Sequence, residues 1–275
     1  MTLPNFFILG AAKCATTSLA NHLRAHPDVF IPDIKEVAYF NIDARWAEGR
    51  DWYEDWFAEA AGERAVGDAT PAYLYVPEVL DRLTATVGTG ARLIVQLRDP
   101  VHRTYSHYQH RRREGVEHRS LDEVLDEELG GDEGWGYVGR GRYLEQIRRW
   151  VDVFGEDALH VVLFEDFVTR PHESYAAVCR HLGIDPTFRP DDLGERYNTH
   201  FEIVRPRLYQ AMVAVRLGKV VPPAVGRWLW DRVAVFREYS PIDAATRERL
   251  RAYFAPHNRA LEQFLGRDLR AVWGY

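Results

Sequence analysis

The sequence predicts an α/β protein: a central parallel sheet flanked by helices. Three observations lead there. Residues 5–10, 92–97 and 159–164 are short, largely apolar runs of the kind buried on both faces of a parallel sheet. Each run ends in a loop of small or polar residues, and a helical stretch follows, which is the order of β–loop–α crossover units. The chain has 275 residues, 46% hydrophobic and 28% charged, enough for one large domain spanning 1–275 with a substantial core. In such sheets ligands sit where strands end and helices begin.

Composition excludes several functions. Lys and Arg number 35 against 41 Asp and Glu, a formal net charge of −6. No broad basic surface is available, so neither nucleic acid nor anionic lipid is an expected partner. The two cysteines, Cys14 and Cys179, are too few for a disulfide framework or a cysteine-based zinc site. No apolar run approaches 18 residues and the first residues carry no basic stretch, so no membrane segment or signal peptide is expected. The expectation is a soluble, reduced, cytoplasmic protein.

The first strand, 5–10, closes on Gly10 and leads through Ala11, Ala12, Lys13, Cys14 and Ala15 into a helix opened by Thr16, Thr17 and Ser18 and running to about His26, before Pro27. Strand, small-residue loop and helix start form an anion-site layout. Backbone N–H groups and the helix dipole face outward, Lys13 adds a full positive charge, and the hydroxyls add donors. An N-capped helix with no ligand would read the same way. The loop is not a Walker A motif, because Ala12 stands where glycine must precede the lysine and the first threonine lies three residues further on.

Beyond Pro32, residues 34–40 (Ile-Lys-Glu-Val-Ala-Tyr-Phe) and 67–74 (Gly-Asp-Ala-Thr-Pro-Ala-Tyr-Leu) combine charged and aromatic residues at what read as surface turns. The strand at 92–97 ends at Arg98-Asp99-Pro100, with Asp99 as helix N-cap and Pro100 at the first helical position. Arg98 at that strand end offers a planar fork of donors, and Ser106, two turns into the helix, offers a hydroxyl; together they suit a phosphate dianion. Residues 111–136 read as a solvated helix followed by a flexible glycine-rich loop. The strand at 159–164 ends at Glu165-Asp166. Residues 203–237 are locally basic and apolar, which fits a lid over an acceptor or two amphipathic helices packed on the sheet around Pro222-Pro223.

Two anion sites in this order, each at a strand–helix junction, resemble the sulfotransferases that use 3′-phosphoadenosine 5′-phosphosulfate (PAPS). Residues 13–19 are similar to that family's 5′-phosphosulfate loop, with Ala15 where the family usually has glycine. Residues 98–106 match every defined position of its 3′-phosphate motif, R-[DN]-P-x-x-R-x-x-S. The resemblance implies a three-layer P-loop-like fold and PAPS as co-substrate, with 3′-phosphoadenosine 5′-phosphate (PAP) as product and no metal. It also implies nucleotide binding by Lys13, Cys14, Ala15, Thr16, Thr17, Ser18, Arg98 and Ser106, with Lys13 beside the leaving phosphate. Residues 35–40 resemble the family's K-E-x-x-[FY]-F stretch, which implies Glu36 as general base and Lys35 as a contact of Glu36 or the sulfonate. Residues 67–74 resemble E-K-[ST]-P-x-Y in the acceptor cleft, which implies Asp68 and Thr70 as acceptor-site residues; Ala69 replaces a lysine common in glycan-modifying members. The implied acceptor is a hydroxyl on a small molecule or glycan. A small-molecule kinase and a non-catalytic nucleotide-binding protein are the competing readings. The first lacks its Walker residues, and the second would not need Glu36.

Overall fold

In the computed structural model, residues 2–34, 36–132, 134–193 and 241–275 are described, with the backbone of 202–203 and 234–235. The central strand β1 (Phe6–Gly10) is buried along its whole length. It pairs in parallel with β3 (Ala65–Ala69) on one side and β4 (Arg92–Leu97) on the other. With β2 (Val29–Phe30) and β5 (Leu159–Leu163) at the edges, the sheet has the order β2-β3-β1-β4-β5, all parallel.

Alternation along the strands divides the core. Phe7, Leu9, Leu93, Val95 and Leu97 face one side; Phe6, Ile8 and Ile94 face the other. The second side is covered by α1 (Thr16–Arg24), α8 (Phe164–Thr169) and α9 (Pro171–Leu182) through Leu19, Leu23, Phe167, Tyr175 and Val178. The first side takes α3 (Gly49–Asp55), α4 (Glu78–Val87), α7 (Tyr143–Phe154), α10 (Ala244–Leu265) and α11 (Arg270–Trp273). Helices on both faces of a parallel sheet give the expected three layers. Short α2 (Asp43–Trp46) precedes α3. Beside this sandwich, α5 (Pro100–Glu114) and α6 (Leu121–Leu129) pack on α10 around Val101, Leu125, Leu250 and Phe254.

Some elements differ from the sequence reading. β3 had no strand signal, because its Ala-Val-Gly-Asp-Ala sequence lacks a β-branched or aromatic run. Its place between two strands makes it one, and Gly67 is required there, since a Cβ at that position would lie 2.1 Å from Phe6 Cζ. Helix α1 ends at Arg24, two residues short of His26, and Phe164 starts a helix. The stretch after α5 is tied down: Ser120 and Glu123 form a capping box on α6. Glu128 accepts hydrogen bonds from the amides of Tyr137 and Val138 at 2.8 and 2.6 Å. β6 (Glu202–Ile203) pairs antiparallel with β7 (Ala234–Val235), so the two ends of the basic segment at 203–237 meet. The rest of that segment, and with it the choice between lid and packed helices, lies outside the described residues, as do residues 196–200.

Candidate active site at the strand ends

The loop after β1, expected to cradle an anion, is anchored on both sides. Ala11 N–H donates to the Gln96 carbonyl of β4 at 2.8 Å, and Leu74 N–H donates to the Leu9 carbonyl at 2.8 Å, which anchors the loop between two neighbouring segments. A Cβ on Gly10 would lie 2.8 Å from Leu74 Cβ, so the loop can begin this close to residues 71–74 only with glycine. No side chain caps α1, which leaves its first N–H groups available to an anion. Lys13 and Ala15 hold left-handed backbone, φ 74° and 66°. For alanine that conformation costs about 1–2 kcal/mol, partly offset by the smaller entropy of the unfolded chain relative to glycine. Ala15→Gly is therefore expected to raise stability by roughly 0.5–1 kcal/mol in urea unfolding, and Ala15→Val to lower it.

The second junction stands beside the first. Asp99 caps α5, accepting from Val101 N–H at 2.9 Å, with Pro100 at the first turn. Glu165, just past β5, accepts from Asp99 N–H at 3.0 Å and from the Trp273 indole at 3.1 Å, so the neighbouring strand end and the C-terminal helix both hold this turn. The Arg98 guanidinium lies over the Phe164 ring at 4.7 Å, half-buried and pre-oriented. Ser106 is buried two turns up α5. Tyr143 joins the two junctions: its hydroxyl donates to the Arg98 carbonyl at 2.8 Å and lies 3.8 Å from Cys14 Sγ. Burial pushes the Cys14 thiol up to about 11, so it is a neutral loop residue.

Around these groups the field is positive. Burial, followed by the charges of Arg103, Arg140, Arg111 and Lys13, drives His107 far below the ordinary histidine range. Burial, with Lys13 the first of the charges acting, brings His110 down to about 4. Both histidines therefore lie within the field of Lys13. Arg103 is fully buried. It reaches the Tyr137 carbonyl and the Thr104 hydroxyl, while its Nε and Nη1 have no hydrogen-bond partner among the described residues. An anion at this junction would feel one cation, Arg103, that is already desolvated.

Glu36 lies across from the loop. An open cleft is lined by Thr16, Thr17, Asn21, Arg24, Asp33, Glu36, Ala69 and Pro71, which brings Glu36 to the start of α1. Behind it, Tyr39 stacks on Tyr53 with ring centres 4.6 Å apart, and Phe40 meets Tyr53 and Tyr73 edge-on. The aromatic residues of 35–40 are thus a buried anchor for a half-buried carboxylate. Lys35 lies outside the described residues.

Asp68 and Thr70, expected at the acceptor, are fully buried. The Asp68 carboxylate is occupied by the hydroxyls of Thr70, Tyr73 and Tyr53 at 2.7, 2.8 and 3.0 Å. Their polar atoms face this interior network and not the cleft, so direct contact with an acceptor is replaced by a link to residues 38–39.

A family model described as "Sulfotransferase domain" matches residues 3–205, about three-quarters of the chain. The chain belongs to the sulfotransferase family. Among solved structures, this sulfotransferase is similar to one from Alicyclobacillus acidocaldarius, at 30% identity and a TM-score of 0.75 over 100% of both chains. A sulfotransferase domain of the curacin biosynthetic pathway shares the fold, at 16% identity and a TM-score of 0.51 over 93% of this chain and 99% of that one. Among curated proteins, mouse (Mus musculus) heparan sulfate glucosamine 3-O-sulfotransferase 5 is 24% identical over 97% of this chain and 73% of its own length. Membrane-associated sulfotransferase kil1 of Dictyostelium discoideum is 38% identical over 39% of this chain and 23% of its own length. No helix among the described residues is long and apolar enough to cross a membrane.

For this sulfotransferase the sequence reading did not anticipate that Tyr143 and Glu165 hold the turn at Arg98 and Asp99. Tyr143 and Glu165 lie 45 and 67 residues beyond Arg98, and packing at the strand ends brings them to that turn. Tyr143→Phe removes the link between the junctions and leaves the Arg98 carbonyl without its buried donor. It is expected to lower stability by about 1–2 kcal/mol. PAP affinity should fall roughly threefold to tenfold, since the two anion elements lose their shared tether. Urea unfolding and calorimetry read the two effects.

Proposed function

We propose that this sulfotransferase moves the sulfuryl group of PAPS to a hydroxyl of a small-molecule or glycan acceptor, with Glu36 as general base. The observation that carries the reading is the placement of Glu36 in one cleft with Thr16 and Thr17, at the uncapped start of α1. Arg98 and Ser106 at the next strand end form the second anion element. These residues fit the nucleotide: the uncapped start of α1 with Lys13 for its 5′ end, and an arginine already laid on Phe164 with Ser106 for its 3′-phosphate.

The bound nucleotide supplies an activated sulfuryl group on a phosphate leaving group. Arg98 and Ser106 hold the 3′-phosphate, which sets the register of the donor along the sheet edge. Lys13 and the first N–H groups of α1 face the 5′-phosphate and neutralise the charge that builds there as the bond to sulfur breaks. Thr16 and Thr17 donate toward the same oxygens. Glu36 accepts the proton of the acceptor hydroxyl across the cleft. The cleft is open on this side, and its lining of carboxylates, one arginine and small residues suits a polar acceptor. The named activity of the heparan sulfate relatives supports a glycan, and the buried alanine at 69 supports a less anionic one.

Calorimetry with PAP in metal-free buffer tests the donor. Binding without magnesium, together with PAP release from PAPS when an acceptor panel is added, is the expected result. Binding of ATP–magnesium in place of PAP would return the chain to the kinase reading. PAP binding with no sulfonated product in mass spectrometry of any acceptor or cell extract would favour a non-catalytic protein.

A further inference from the structure

The interior network at Asp68 reaches the segment that carries Glu36. Thr70 and Tyr73 both donate to the carboxylate, and each hydroxyl oxygen in turn accepts a backbone N–H: Ala38 to Thr70 at 3.1 Å and Tyr39 to Tyr73 at 3.1 Å. A hydroxyl has a single proton, so donating to an ionised carboxylate leaves its lone pairs for those amides. Ala38 is in left-handed backbone, φ 51°, a conformation alanine holds only when its surroundings impose it. On the other side of the segment, Arg45 donates to the carbonyls of Glu36 and Val37. Residues 36–39 are therefore clamped from both sides, by a guanidinium on the carbonyls and by the Asp68 relay on the amides.

The geometry assigns Asp68 as a positioning residue: its ionised carboxylate, acting through Thr70 and Tyr73, holds residues 36–39 so that Glu36 addresses the cleft. This rests on Glu36 being the base. Tyr53 supplies an internal control. It donates to the same Asp68 oxygen as Tyr73, at 3.0 Å, yet its hydroxyl accepts no amide of the segment among the described residues.

Protonation bears on this relay. Burial raises Asp68 from the ordinary aspartate value to about 6, the Glu36 charge acts in the same direction, and the Thr70, Tyr73 and Tyr53 hydroxyls oppose them. The groups packed around it are thus the phenols of Tyr53 and Tyr73, the Thr70 hydroxyl and, in the cleft, the Glu36 carboxylate. The ionised fraction grows as pH rises through that value, so turnover supported by the relay rises over the same interval and falls below it.

The test compares Asp68→Asn, Tyr73→Phe and Tyr53→Phe with Glu36→Gln, measuring kcat, PAP affinity, urea stability and the pH dependence of kcat. Asparagine cannot accept from all three hydroxyls, and Asp68→Asn is expected to lower kcat about 10–100-fold, with PAP affinity within twofold and the inflection near pH 6 gone. Tyr73→Phe, which removes two buried hydrogen bonds, the one to Asp68 and the one from Tyr39 N–H, should lower kcat about tenfold; Tyr53→Phe, which removes only its bond to Asp68, should lower kcat less than threefold and cost less stability. The tyrosine pair decides the matter even where Asp68→Asn does not fold. Equal kcat losses in the two tyrosine variants, or an unchanged pH profile in a folded Asp68→Asn, would overturn the positioning role. A Glu36→Gln enzyme that keeps its kcat would instead overturn the base assignment, so the two failures are distinguishable.

Discussion

Glu36→Gln is expected to lower kcat for sulfuryl transfer by about 10³-fold while PAP affinity stays within twofold. A positioned general base contributes about 10²–10⁴ to a rate. Glutamine keeps the shape and the backbone of the segment but cannot take a proton. The separation of effects follows from placement. Glu36 lines the cleft beside Thr16 and Thr17, whereas Lys13 and Arg98, the cations proposed to meet the nucleotide, belong to other segments. The Tyr39 and Phe40 rings that fix the segment remain packed on Tyr53 and Tyr73, so the fold tolerates the change. PAP formation from PAPS with a productive acceptor measures the loss, and a calorimetric PAP titration measures the retained binding. A drop of less than tenfold would reassign the base to another group of the cleft.

Arg98→Ala is expected to weaken PAP binding by about 100-fold or more, through loss of a charge-assisted pair of hydrogen bonds worth about 3 kcal/mol. The guanidinium already lies on Phe164, so little of its bonding energy is spent on ordering. Arg98→Lys should recover only part of the affinity, because an ammonium has no fork and stacks poorly on the ring. The ligand supplies the control. Adenosine 5′-phosphosulfate, which lacks the 3′-phosphate, should bind wild type weakly and lose little more with Arg98→Ala. If the variant weakened both ligands equally, Arg98 would be supporting the fold of the loop and not the 3′-phosphate, and Ser106 would lose its assigned partner.

Much of this site is written in local patterns. Residues 10–18 and 98–106 each join a strand end to a helix start, and the chemistry of an anion site is a property of such a junction, so short motifs carry it. The run at 35–40 is also local, because its aromatic residues anchor the same turn that presents the carboxylate. The reading went astray where a residue's role depends on what surrounds it. Asp68 and Thr70 stand in a motif-like stretch and were expected to face the acceptor. The strand they end is internal, with β1 on one side and β2 on the other, and their side chains point inward at Tyr53. A motif gives a residue's spacing, whereas burial depends on the neighbouring strands.

From residue patterns alone followed the parallel α/β class, two strand–helix junctions of anion-site form, and the resemblance to the sulfotransferases. These are local matters: runs of apolar residues that must be buried on both faces, loops whose small residues admit a phosphate, and helix starts whose amides need an acceptor. Tertiary structure decided that β3 is a strand at all. It also decided that Tyr143 ties the junctions together, that Glu165 holds the second of them, and that Asp68 reaches through hydroxyls to the backbone behind Glu36. Each of these depends on segments tens of residues apart being packed to hydrogen-bond distance. No local pattern encodes that proximity, because it arises only when the whole sheet is assembled in its order and its faces are covered.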